Sequence, residues 1–103
     1  MEVKLIVSPR VSKKYRMIFY DDDNQRLKIV GYTDFGSAGM SDFIQHKDEE
    51  RKDRWLKRFN KLIDKNKSDP TSAMTLSHLI LWNKSTLEAS YRDYKKIFNL
   101  KNK

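Results

Sequence analysis

The sequence predicts a small α+β domain in which a short antiparallel sheet, an N-terminal strand plus a β-hairpin, packs against three helices. Three observations lead there. Strand-like alternation is confined to residues 2–32, helix-period apolar spacing fills residues 41–98, and glycine-rich turn chemistry separates the two. No repeat or linker divides the chain, so residues 1–103 read as one domain with a short basic C-terminal tail.

Glu2–Val7 (EVKLIV) sets Val3, Leu5 and Val7 against polar neighbours and reads as a strand. Ser8-Pro9 ends it, because proline lacks a ladder donor and restrains the residue before it. Lys14–Tyr20 (KYRMIFY) is dense in aromatic and β-branched residues, with Tyr15, Met17 and Phe19 on one face. Asp21-Asp22-Asp23-Asn24 reads as the hairpin turn, and Arg26–Tyr32 as the returning strand, with Leu27 and Ile29 on one side. A calcium loop is the sharper reading of DDDN, but the glycine and the distal bidentate glutamate of that pattern are missing. Strands this short leave a sheet face or edge for pairing with another chain.

Phe35–Lys65 organises the rest. Gly36 and Gly39 turn the chain, Ser41 or Asp42 caps a first helical turn, and Asp48 starts a longer helix with Glu49 and Glu50 behind it. At 100° per residue, Trp55, Leu56, Phe59, Leu62 and Ile63 fall within an arc of roughly 120°. Arg51, Arg54, Arg58, Lys61 and Lys65 fall within a separate arc of roughly 80°. Glu50, Asp53, Asn60 and Asp64 take most of the remainder. After the Asn66–Pro70 loop, Asp69 reads as a cap with Pro70 at the first helical position, and Thr71–Trp82 as a helix. Ser85-Thr86-Leu87-Glu88 matches a capping box opening the last helix, where Leu87, Tyr91, Tyr94 and Phe98 make an apolar-aromatic face that reads as core.

Composition narrows the function. The net charge is +8, with 38% hydrophobic and 35% charged residues and no cysteine. The absence of cysteine excludes disulfides, thiolate chemistry and cysteine-based zinc. The net charge calls either for an acidic partner or for a lysine-rich surface that keeps a small domain soluble, with the basic stripe on one helix favouring the partner. The longest apolar run, Leu79 to Trp82, is far too short to span a bilayer, and Met1 to Val7 lacks a signal peptide's apolar core, so no membrane insertion is expected. Catalysis finds little to work with: His46 and His78 sit in different elements, and no nucleophile–base pair or phosphate-cradling glycine loop is present. Asp42, His46 and Asp48 have the spacing of a small metal site, yet adjacent helix caps produce the same pattern, and caps are the expectation. Neither an enzyme nor a bound cofactor or metal is expected.

KKYRMIFYDDDNQRLKIVGYTDFGSAGMSDFIQHKDEERKDRWLKRF, followed by LILWNKSTLEASYRDYKKIF, resembles a family of small proteins encoded by large double-stranded DNA viruses of algae and protists. The likeness runs from Lys13 to Phe98, with Met40 where an aromatic is usual, Ile44 where threonine is usual and Phe59 where histidine is common. The resemblance implies a viral setting, a virion component made in the host cytoplasm or nucleus, and it carries over no active site.

Two functions follow. In the first, the chain is a non-enzymatic structural protein, a minor capsid or capsid-associated component, docking on capsid or other virion proteins through a basic helix face and a sheet edge. In the second, the same face holds phosphates of DNA or RNA. Either way the candidate residues for an acidic partner or phosphate are Lys13, Lys14, Arg16, Arg51, Arg54, Arg58, Lys61 and Lys65.

Overall fold

The computed structural model describes residues 1–23 and 26–103, with the backbone alone at 22, 23 and 27. Its class is α+β. β1 (Glu2–Val7), β2 (Lys13–Asp23) and β3 (Arg26–Ser37) form an antiparallel ladder, and β4 (Lys101–Asn102) joins the far side of β1 in parallel, giving the order β3-β2-β1-β4. The basic tail is therefore partly strand: Lys101 and Lys103 donate backbone N–H groups to the carbonyls of Met1 and Val3.

The hairpin is longer than its propensities suggest. Asp21–Asp23, read above as turn, continue β2, with Asp21 opposite Lys28, where an opposite-charge neighbour offsets the poor strand preference of aspartate. Asn24 lies outside the described residues. β3 runs on past Tyr32 to Ser37, held by the pairs Tyr15↔Phe35 and Lys13↔Ser37. A bulge between Phe19 and Tyr20 shifts the register and adds local twist.

The helices pack on one face of this sheet. α1 (Phe43–His46) begins at Asp42, whose carboxylate accepts from the Gln45 N–H while the Gln45 side chain accepts from the Asp42 N–H. α2 (Glu49–Arg58) begins at Asp48, which accepts from the N–H groups of Glu50 and Arg51. The helix expected over residues 49–65 is interrupted: Phe59 takes φ −104° and ψ 11°, and α3 (Asn60–Asn66) resumes after it. α4 (Ala73–Leu76) is capped by Ser72, not by Asp69. Asp69 instead closes the preceding turn by accepting from the Thr71 N–H and hydroxyl, and those bonds hold its carboxyl below the usual range.

α4 then widens into a π-helical turn, Ser77–Leu81, in which the Trp82 N–H reaches the Ser77 carbonyl at 3.2 Å. α5 (Leu87–Phe98) starts one residue later than the expected box, with Thr86 accepting from the Ala89 N–H. Among the described residues no helix is long and apolar enough to cross a membrane.

The core lies between the layers. Val3, Met17, Phe19 and Phe35 meet Phe43, Leu76, Ile80, Leu81, Trp82 and Tyr94, all buried. The expected α5 face behaves as core: Tyr94 is fully buried, and Leu87, Tyr91 and Phe98 pack against the cluster. Burial pushes the Tyr94 phenol up, and its hydroxyl donates to the Pro70 carbonyl at 2.7 Å. The opposite sheet face carries Lys4, Ile6, Arg16, Ile18, Tyr32 and Asp34 by strand alternation.

Candidate functional site

The start of β2, the end of β3, α2 and the π-helical turn enclose a groove of about 690 Å³. Gly36 lets β3 approach the turn. Its φ is +79°, and a Cβ there would stand 2.8 Å from Leu81 Cδ1, so both the backbone angle and the space demand glycine. β2 contributes Lys13 and Lys14, α2 contributes Arg51, Arg54, Trp55 and Arg58, and the loop before α1 contributes Met40, Ser41 and Asp42. α4 and the π-helical turn supply Ala73, Met74, Ser77 and Leu81, with Trp82 following.

The charge in this groove is unbalanced. Its lining holds five cationic side chains and one carboxylate, Asp42. Asp42 is already engaged: Lys14 Nζ donates to it at 2.5 Å and to Gln45 Oε1 at 2.9 Å. Among the described residues Lys13, Arg51, Arg54 and Arg58 have no carboxylate partner. Arg51 reaches the Ser41 hydroxyl at 3.3 Å, and the Arg58 guanidinium stands 5.3 Å from the Phe59 ring. Glu50 and Asp53, on the same helix, do not line the groove. The recess thus presents a positive field over a partly apolar floor.

That floor is built from rings engaged with one another. Trp55 stacks on Trp82 at 4.9 Å with 6° between planes, and Phe59 lies 4.9 Å from Trp55. His46 backs Trp82 at 5.3 Å, and His78 lies 6.4 Å from Trp55. Burial pulls the His78 imidazole below its ordinary value, and the Lys52 charge adds to that. Neither histidine lines the groove.

Of the eight cations singled out in the sequence, Lys13, Lys14, Arg51, Arg54 and Arg58 come together here. Arg16 does not. It lies on the opposite sheet face, donating to both carboxylate oxygens of Asp34 at 2.8 and 3.0 Å, its guanidinium 3.8 Å from the Tyr32 ring centre. Lys61 and Lys65 are exposed on α3, outside the groove lining, because the departure at Phe59 ends the continuous stripe that a regular helix would have made. Glu50 and Asp53 stay out of the groove because they project from another side of α2 than Arg51, Arg54 and Arg58.

The two stretches FGSAGMSDFIQHKDEERK and LWNKSTLEAS meet behind the groove as a clasp. Lys47 Nζ donates to the carbonyls of Ile44 and Ser85 at 2.8 and 2.7 Å, and Lys52 Nζ to the Asn83 carbonyl at 2.6 Å. Asn83 donates to Asp93 at 2.7 Å, and the Ser90 hydroxyl accepts from the Lys84 N–H at 3.0 Å. His46 Nδ1 accepts from the Asp48 N–H at 3.0 Å, so Asp42, His46 and Asp48 serve the caps of α1 and α2. Nε2 of His46 is buried without a partner among the described residues.

Met74, Ser77 and Leu81 were not singled out as site residues. Met74 comes from α4, while Ser77 and Leu81 belong to the π-helical turn, which widens the helix by one residue and has no local sequence marker. Residues 3–59 match the model of a family of unknown function, DUF5754, while no curated protein and no solved structure matches the chain. The match runs from β1 to the end of α2 and spans more than half of the chain, and the protein belongs to the DUF5754 family.

Proposed function

We propose that the protein is a non-enzymatic structural protein that docks an acidic partner in the cationic groove, with the open edge of β3 as a second contact. In the viral setting implied by the sequence resemblance, the partner is a capsid or other virion protein. One observation supports this above the others. Arg51, Arg54 and Arg58 sit at i, i+3 and i+7 on α2 with no carboxylate partner among the described residues. The neighbouring pairs Arg51–Arg54 and Arg54–Arg58 stand at i,i+3 and i,i+4, where like charges repel by about 0.2–0.5 kcal/mol per pair. A partner's carboxylates would relieve that repulsion.

The test is the protein's place in a purified particle. Fractionation is expected to leave it with the shell proteins, and a particle carrying Arg54→Glu with Arg58→Glu is expected to lose it from that fraction. Recovery with the DNA fraction, or absence from particles, overturns the proposal.

A nucleic-acid reading gains from one observation, namely that Glu50 and Asp53 stay out of the groove and so do not repel phosphates there. Filter binding on duplex DNA at two salt concentrations separates the readings. Four phosphate contacts would give a log–log slope of about −3.6, and a docking protein is expected to show weak binding that the charge reversal leaves unchanged.

A further inference from the structure

Resting on the docking reading, we infer that the groove takes an acidic peptide segment of the partner with one large aliphatic or thioether side chain as its anchor. The argument starts from which groove surfaces remain available. Trp55, Trp82 and Phe59 are occupied with each other and with His46, so no stack of bases finds a row of free rings. The apolar wall that remains is Met40, Met74 and Ala73, and Met40 is 68% exposed. Unbranched thioether side chains adapt to an inserted apolar group and recur at surfaces that receive peptides.

Shape and charge point the same way. A recess of about 690 Å³ is the size of a site for a few side chains, and a duplex is too broad to enter it. Arg54 and Arg58 are separated by one helical turn, about 6 Å of rise. Carboxylates on one side of an extended peptide repeat every ~6.6–6.8 Å, so alternate acidic residues meet successive arginines. The intervening side chain then faces the methionine wall. Lys13, brought to the groove by β2, supplies a cation for a further carboxylate.

A random dodecapeptide phage library selected on the intact protein tests this. The expected consensus alternates Asp or Glu around one Leu, Met or Ile. Replacing that anchor with Ser in the synthetic consensus peptide is expected to weaken binding at least tenfold by fluorescence polarisation. Arg54→Glu with Arg58→Glu, and separately Met40→Asp, are each expected to do the same. Lys61→Glu with Lys65→Glu, the same charge change outside the groove, is expected to cost less than threefold. An acidic consensus indifferent to the anchor, or equal losses from the two charge reversals, overturns the anchored groove and leaves docking by charge standing. Selected peptides without acidic residues, bound equally by the charge-reversed protein, overturn the docking reading as well. Tighter binding of a twelve-nucleotide oligo-dT than of the consensus peptide overturns both in favour of nucleic acid.

Discussion

Two clusters of cations flank the same β2 strand and have been treated in opposite ways by the fold. On the outer sheet face, Arg16 grips Asp34 with two hydrogen bonds, Ser8 adds a third at 3.0 Å, and the Asp34 side chain is only 4% exposed. In the groove, Lys13, Arg51, Arg54 and Arg58 gather around a single carboxylate that Lys14 already holds. The first arrangement is closed: both Asp34 carboxylate oxygens accept from Arg16, and breaking the pair strands a charge. The second is open: Arg51 reaches only the Ser41 hydroxyl and Arg58 the Phe59 ring, and no carboxylate among the described residues neutralises either. Position on a strand or helix does not separate these roles; the neighbouring carboxylate does.

Breaking the closed cluster has the largest expected effect. Asp34→Ala is expected to lower stability by about 2 kcal/mol in chemical denaturation, since hydrogen bonds to a charged group are lost and their donors are left partly buried. Arg16's hydrogen bond, against the opposing effect of burial and with Ser8's help, holds the Asp34 carboxyl below its ordinary range. Its folded value is thus lower than its unfolded one, near 3.9. The stabilisation is present above that unfolded value and is lost as pH falls through the folded one. Melting from pH 6 down to 2 is expected to show this loss in the parent and a shallower decline in Asp34→Ala; parallel curves would show that the pair is not what the acid limb reports.

An intermediate effect belongs to the clasp. Lys52→Met keeps an unbranched chain beside Phe43 but removes the bond to the Asn83 carbonyl, and about 1 kcal/mol of destabilisation is expected. Unchanged stability would mean that the Lys52 bond adds nothing and that the Lys47 bond to Ser85 and packing hold the clasp. The smallest effect sharpens the contrast. Arg54→Gln with Arg58→Gln is expected to move stability by no more than about 0.5 kcal/mol, because relief of the repulsion among the α2 arginines offsets the small helix-terminus benefit of cations. A loss like that of Asp34→Ala would show that these arginines serve the fold and would remove the case for a docking site.

Much of the architecture was legible. Alternation in EVKLIV and KYRMIFY, the caps at Asp42 and Asp48, and the Leu87–Phe98 face all reflect rules that act within a turn or a strand. Three of the five basic candidates that line the groove, Arg51, Arg54 and Arg58, were legible for the same reason, since they repeat on one regular helix. Arg16 could not be told from Lys13 along the chain: its partner lies 18 residues away on another strand. Phe59 carries no proline or glycine to announce a break, so Lys61 and Lys65 seemed to continue a stripe that the backbone ends.

Local chemistry, then, determined the class, the order of strands before helices, the caps and the excess of positive charge, because each depends on neighbours within a few residues. The tertiary structure decided which cations are neutralised and which stand open. That choice rests on distances between elements: the bite of Arg16 on Asp34, of Lys14 on Asp42, and the close approach of Gly36 to Leu81 that brings β3 to the π-helical turn and shapes the groove. Electrostatic and steric energies fall off over a few ångströms of space, whatever the separation along the chain.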